Sequence, residues 1–268
     1  MSKLWMRKVA KKIFRDTKYY LWYNTFQKSL ICTKRKNAGQ ILLFNNNFFY
    51  HHGRAFYDSY REIFQKKIYQ FKPVSKNPTI IDCGANMGLS TLFFSKYYPD
   101  AMVIAFEPDS YVFPFLKKNM KSQILENVHL EEKAVWISES SLDFYTDKGL
   151  GGRLNKEYSG QKSTRVETVR LKEILTKKID MLKLDIEGSE FDVLKDCEEK
   201  LYLVDHIFIE YHSTYNEGQH LDDILNLLKQ SGFRYHLKES FSRNKPFVDH
   251  TLSCEKFDLA INIFGYRN

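Results

Sequence analysis

Acidic side chains stand at the ends of three apolar runs in this 268-residue chain, two of them beside glycines. In the first, Thr79-Ile80-Ile81 leads into Asp82-Cys83-Gly84-Ala85-Asn86-Met87-Gly88-Leu89-Ser90. Leu89, Leu92, Phe93 and Tyr97 then recur at helical spacing, so the segment reads strand, tight loop, helix. Glycine allows the sharp turn and lets a ligand approach backbone that a Cβ would shield. The spelling is G-x-x-x-G, not the G-x-G-x-x-G of a dinucleotide fold. Leu89 also stands where a P-loop needs Lys followed by Ser or Thr. Neither diphosphate nor triphosphate chemistry is well served.

The second acid, Glu107, ends the short run Ala101-Met102-Val103-Ile104-Ala105-Phe106. An acid about 20 residues beyond such a loop, at the tip of the adjacent strand, is placed to accept both hydroxyls of a ribose. Pro108 stops the strand, and Asp109 is expected to cap the helix that follows. A glycine loop without phosphate chemistry beside a ribose-binding acid selects a nucleoside cofactor that lacks phosphate. S-adenosyl-L-methionine fits, because its amino-acid end needs polar and backbone partners and its sulfonium tolerates nearby carboxylates.

The third run, Ile179-Asp180-Met181-Leu182-Lys183-Leu184, ends in Asp185-Ile186-Glu187 and turns at Gly188 into a helix. Ser189 and Asp192 have the spacing of a capping box there. Taken with the Asp82 to Gly88 loop and Ala105-Phe106-Glu107-Pro108, this resembles the FkbM-type methyltransferase family, a branch of the class I S-adenosylmethionine-dependent methyltransferases. The stretch Lys183-Leu184-Asp185-Ile186-Glu187-Gly188-Ser189-Glu190 separates that family from other class I enzymes. The resemblance runs from about Phe56 to about His212 and more loosely beyond. It implies methyl transfer from S-adenosyl-L-methionine to hydroxyl oxygens, often on sugars or secondary metabolites. The cofactor residues it implies are Asp82, Gly84, Ala85, Asn86, Gly88, Ser90, Glu107, Pro108, Ala134 and Asp185.

Methyl transfer is an in-line displacement, so much of the catalysis is proximity and orientation. A sugar hydroxyl has a high pKa, so a base within hydrogen-bond reach helps. Candidates lie at the ends of the fourth and fifth strands: Asp185 and Glu187 at one, Glu210, Tyr211 and His212 at the other. His212 is expected to act as base or to position the acceptor, supported by Asp185 or Glu187, because an ordinary imidazole accepts a proton near neutral pH. Asp185 has a second reading, orienting the cofactor amine, and Glu187 another, supporting the Gly188 turn. Asp185, Glu187, Glu210 and His212 would also suit magnesium, but the spacing does not demand a metal and none is expected.

Four cysteines, Cys32, Cys83, Cys197 and Cys254, are far apart, which argues against a disulfide framework or zinc ribbon and suits a reducing cytoplasm. No run approaches the roughly 20 apolar residues of a membrane span, and no signal-peptide core follows the basic N-terminus. The net charge of +8 is unevenly placed: eleven of the 41 Lys and Arg fall within residues 1–40, against Asp16 alone of the 33 acids. That segment reads as helix over residues 1–30, with Trp5, Val9 and Ile13 on one stripe. It suits a solvated face, a nucleic acid or an anionic membrane. Nucleic acid is not expected, since Asp185-Ile186-Glu187-Gly188 replaces the N-P-P-Y type motif of base-amine methylation. Peripheral binding at the inner face of a membrane is favoured.

Ile41-Leu42-Leu43-Phe44 and Phe48-Phe49-Tyr50 flank a polar turn and read as a hairpin, and Tyr57 to Phe71 reads as helix. From Thr79 onward strands and helices alternate, which predicts a mostly parallel α/β sheet. Residues 142–170 read as a hairpin-like insert, whose Asp147 to Arg153 loop is either a lid or an ordinary turn. The expected fold is a Rossmann-like class I methyltransferase sheet closed by a terminal antiparallel hairpin. Residues 1–72 form a basic, mainly helical extension and residues 73–268 the catalytic domain. The expected function is O-methylation of a sugar or glycan hydroxyl. The competing readings are O-methylation of a small lipid or secondary metabolite, and a non-catalytic cofactor-binding scaffold.

Overall fold

The computed structural model describes residues 25–27, 29–34, 37–146, 152–154, 162–215, 217–241, 243–249 and 257–267. The helix expected at residues 1–30 lies outside these up to residue 24, as do most of the 147–153 loop and Cys254.

A two-stranded hairpin comes first, β1 (Gly39–Leu43) against β2 (Asn46–Tyr50). Its two turn residues, Phe44 and Asn45, both have positive φ, 50° and 66°, as a type I′ turn requires. Helix α1 (Gly53–Tyr60) follows and widens into a π-helical turn, Arg61–Gln65. The helix therefore starts four residues before the expected Tyr57 and stops well short of Phe71; Lys67, at φ 53°, leaves helical geometry.

The alternating part then unfolds as expected. Strand β3 (Thr79–Cys83), helix α2 (Leu89–Tyr97), β4 (Met102–Phe106), α3 (Phe113–Ser122) and β5 (Val128–Glu131) build one half of the sheet. Three further strands, β6 (Ala134–Trp136), β7 (Ser141–Thr146) and β8 (Gly152–Leu154), join β9 (Lys162–Arg170) in a separate four-stranded sheet. Ala134 and Val135 thus open this smaller sheet, and the expected insert is its framework. The main sheet resumes with β10 (Ile179–Leu184), α4 (Glu190–Asp196), β11 (Val204–Thr214), α5 (Leu221–Gln230), β12 (Arg234–Phe241) and β13 (Phe257–Tyr266).

Its order is β12-β13-β11-β10-β3-β4-β5. Strands β11, β10, β3, β4 and β5 pair in parallel, and β13 is antiparallel to both β11 and β12. This is the mostly parallel sheet with an antiparallel closure that the sequence predicted. Every residue of β3 and β10 is buried, as expected where both faces of a parallel sheet are covered. Alternation sorts the side chains: Ile80 and Met181 pack with Phe93, Leu116 and Phe56 on one face, Ile81 and Leu182 with Val193 and Ile224 on the other.

The hairpin and α1 belong to the first of these cores, where Phe48 and Phe56 are fully buried beside Phe93 and Phe94. The expected boundary at residue 72 therefore does not separate two cores. Phe48, Tyr50, Phe56 and Phe64 are buried in the same core as Ile80 and Phe93, so this part of the extension is integral to the domain.

Candidate active site

The tips of β3, β4 and β10 are stitched together by backbone. Gly84 and Ala85 both donate their N–H to the Phe106 carbonyl, at 3.0 and 2.9 Å, and Asp185 donates to Cys83. Gly84 has φ 81°, and a Cβ there would lie 1.9 Å from the Asp185 carbonyl oxygen, so only glycine fits this crossing. A cleft open to solvent lies above these tips.

Of the residues expected to bind cofactor, Gly84, Asn86, Glu107, Pro108, Ala134 and Asp185 line this cleft. The others do not. Asp82 is fully buried below the cleft, where its Oδ2 accepts from the hydroxyls of Ser90 and Thr91, both at 2.7 Å. Ser90 is thereby turned inward as well. Ala85 is part of the core, and Gly88, at φ 94°, is pressed against Leu116, which a Cβ would meet at 2.7 Å. These four set the shape of the loop.

Glu107 holds the loop and the following turn at once. Its Oε2 accepts from the Asn86 N–H at 2.8 Å and its Oε1 from the Asp109 N–H at 2.9 Å. Carboxylate oxygens have further lone pairs, which remain for ribose hydroxyls. Burial raises its pKa against the help of those two hydrogen bonds, to about 7. Asp109 does not cap α3 as expected. Its Oδ1 accepts from the Tyr111 N–H at 2.8 Å, forming a turn ahead of the helix, and Val112 occupies the cap position. The smaller sheet supplies Phe144 and Leu154 as an apolar wall, suited to the flat face of a nucleobase.

Lys183 is the residue whose role sequence reasoning missed. It lies beside Asp82 in the β10–β3 register and is 2 % exposed. Its Nζ is 3.3 Å from both Asp82 Oδ1 and Asp185 Oδ2, and donates to the carbonyls of Gly84 at 2.9 Å and Cys83 at 3.2 Å. Burial alone would favour the neutral amine, but Asp185 and Asp82 outweigh it and hold the pKa above its ordinary value. The signal was a single lysine in the buried run Met181-Leu182-Lys183-Leu184, adjacent in the sheet to a run that carries a single aspartate.

Beyond the cofactor cleft the side chains become crowded with charge. Asp185 and Glu187 line it, and His212, on β11, stands behind them. His212 Nδ1 is 3.3 Å from Glu190 Oε1, while Nε2 is 3.8 Å from Glu187 Oε2 and 4.0 Å from Glu210 Oε1. Burial opposes the imidazolium, yet Glu187, Glu190 and Glu210 together hold its pKa well above the usual histidine value. Three carboxylates thus favour the imidazolium, which suits the positioning half of the expectation for His212 better than the base. Glu210 has its pKa pushed up to about 7, by burial first and then by Asp185, and accepts from the Ser240 hydroxyl at 2.6 Å.

Glu190, nearly fully buried, is the second missed residue. Its carboxylate accepts from the N–H groups of Ile186 and Gly188 and so builds the turn in which Glu187 and Gly188 both take positive φ, 59° and 100°. The expected Ser189–Asp192 capping box is not formed, since Ser189 makes no side-chain cap. The ligand atoms of Asp185, Glu187 and His212 lie within 4.8 Å of one another, a span that a divalent cation can bridge.

A mostly parallel sheet with an antiparallel closure, and a cleft lined by Glu107 at the carboxyl ends of its strands, is the architecture of a class I methyltransferase. The family model described as "Methyltransferase FkbM domain" matches residues 82–235, and the chain belongs to that family. It is an S-adenosylmethionine-dependent methyltransferase. Methyltransferase sdnD of Sordaria araneosa is 27% identical over 211 residues, covering 65% of this chain and 80% of that protein. The 2-O-methyltransferase NoeI of Sinorhizobium fredii is 29% identical over 175 residues, covering 57% of this chain and 71% of its own length. The crystal structure of methyltransferase FkbM from Methylobacillus flagellatus KT superposes with a TM-score of 0.46 at 16% identity, over 75% of this chain and 46% of that one.

Proposed function

We propose that this enzyme transfers the methyl group of S-adenosylmethionine to a hydroxyl of a sugar or glycan, such as a surface polysaccharide or its lipid-linked precursor. The carboxylate cluster beside the cofactor cleft carries this reading. When bound, S-adenosylmethionine would supply the methyl carbon to the acceptor oxygen, with the C–S bonding pair left on sulfur as a neutral thioether. The hydroxyl proton passes to the carboxylates, of which Glu187 lines the cleft and Glu210 has a proton affinity matched to neutral pH. His212, as an imidazolium, donates to the acceptor and fixes its orientation. Relatedness to a 2-O-methyltransferase supports an oxygen acceptor. Eleven basic residues within positions 1–40 would hold the enzyme on an anionic membrane surface, near a lipid-linked substrate.

The test is transfer of labelled methyl from S-adenosylmethionine to a panel of free sugars, lipid-linked glycans and apolar alcohols, with products located by mass spectrometry. Methyl ethers on sugar hydroxyls are expected. Exclusive methylation of apolar alcohols would replace this reading with the secondary-metabolite one, and cofactor binding without turnover on any acceptor would favour the scaffold reading. Sedimentation with anionic vesicles, lost on deleting residues 1–30, tests the membrane component.

A further inference from the structure

Asn86 lines the cofactor cleft at φ 49°, in the left-handed region that asparagine tolerates better than most residues. Its side-chain amide has a defined orientation. The Met87 backbone N–H, which can only donate, lies 2.7 Å from Asn86 Oδ1, so that atom is the oxygen. The same oxygen is 2.8 Å from His51 Nε2, which must therefore carry a proton and donate. With Oδ1 accepting twice, the group left to Asn86 for a ligand is its NH₂. Nδ2 makes no hydrogen bond among the described residues, and the side chain is exposed in the cleft.

His51 is built to hold this position. It is 4 % exposed and meets the rings of Phe115 and Tyr111 edge-on, at centroid distances of 5.7 and 6.3 Å. The strand before it is tied to the glycine loop through Asn119, which is fully buried. Asn119 accepts from the Phe49 N–H at 2.7 Å and donates to the carbonyls of Phe49 and Met87, both at 2.8 Å. Position 51 lies 31 residues before the start of the matched family domain at residue 82.

We propose that His51 is a positioning residue for the cofactor: its Nε2–H locks Asn86 with the amide nitrogen facing the cleft, where it donates to the carboxylate of the amino-acid end of S-adenosylmethionine. Glu107 marks the ribose end of the same cleft, and its bond to the Asn86 N–H places the two ends of the nucleoside amino acid on one loop. The hairpin is thereby part of the cofactor site even though its residues lie before the methyltransferase domain.

Calorimetry on the full chain tests this with two ligands, S-adenosylmethionine and its decarboxylated analogue. His51→Ala and Asn86→Asp are each expected to weaken S-adenosylmethionine binding by about 10-fold or more, the scale of a hydrogen bond to a charged group. Binding of the decarboxylated analogue should change by less than about 2-fold in His51→Ala and be unchanged or tighter in Asn86→Asp. His51→Gln, which can present an N–H donor in the same direction, should recover most of the loss. Equal losses for the two ligands would overturn the proposal, because the pair would then only shape the loop. Wild-type affinity in His51→Ala would overturn it too. Should that variant fail to fold, His51→Gln and Asn86→Asp decide the matter with the same two ligands.

Discussion

The two halves of the site are organised differently. At the tips of β3 and β4 the polar side chains are tied by directed hydrogen bonds: Glu107 to two backbone N–H groups, Asp82 to two hydroxyls, Asn86 to His51. At the tips of β10 and β11, Asp185, Glu187, Glu190 and Glu210 crowd around His212 and Lys183 at distances of 3.3 to 4.0 Å. The first half is a mould for one invariant molecule. The second is a set of opposed charges whose protonation can change during a reaction, which suits proton transfer better than recognition. Lys183 joins them, since it binds an aspartate of each half and the carbonyls of the glycine loop.

Cutting that joint should have the largest effect. Lys183→Met leaves Asp82 buried without a counter-charge and should lower stability by roughly 3–5 kcal/mol in chemical denaturation. A Lys183→Met, Asp82→Asn double variant should recover part of this; a single variant as stable as wild type would mean that the two halves are not coupled through this ion.

Glu107 tests the mould. The native carboxyl holds its proton up to about pH 7, whereas an ordinary glutamate releases it near 4.5, so the folded protein binds more protons between those values. Stability of the cofactor-free enzyme should fall as pH rises through that window, by at most about 3 kcal/mol for this group, and level off above it. Glu107→Gln should flatten that part of the melting-temperature profile, and Glu107→Ala should greatly weaken cofactor binding.

His212 tests the charged half. His212→Ala should lower turnover by about 10²-fold with cofactor affinity kept, a loss of roughly 2.7 kcal/mol in transition-state stabilisation. With Glu210 accepting the proton, wild-type turnover should rise with an apparent pKa of about 7, and that rise should disappear in Glu210→Gln. A rise that persists in Glu210→Gln and is lost in His212→Ala would restore the neutral-base role. Smallest of all should be the effect of EDTA; an absolute magnesium requirement would instead assign Asp185, Glu187 and His212 to a cation.

The mould was largely legible in the sequence, because a glycine loop and an acid one strand later are local patterns imposed by backbone geometry. Gly84, Asn86, Glu107 and Asp185, picked out on that basis, line the cleft. Asp82 and Ser90 belong to the loop in sequence, and only the β10–β3 register shows that Asp82 faces Lys183 below it. The charged half was legible as a list of residues but not as a state. His212 lies within the long strand β11, and whether it carries a proton depends on Glu190 from a different turn. His51 gave no signal, because 35 residues separate it from Asn86 and no periodicity connects them.

The place of β13 has a consequence for synthesis. It inserts between β11 and β12, so the strand that carries Glu210 and His212 has an open edge until residues 257–266 arrive. A nascent chain can assemble the β3–β4–β5 half and its glycine loop much earlier. Until the last strand is delivered, β12 has no neighbour through which to join the sheet, and the bare flank of β11 is the surface most open to mispairing with other chains. Stalled or prematurely ended products should therefore be the aggregating species, and a holdase that shields strand edges should raise the yield of active enzyme more than one that shields helices.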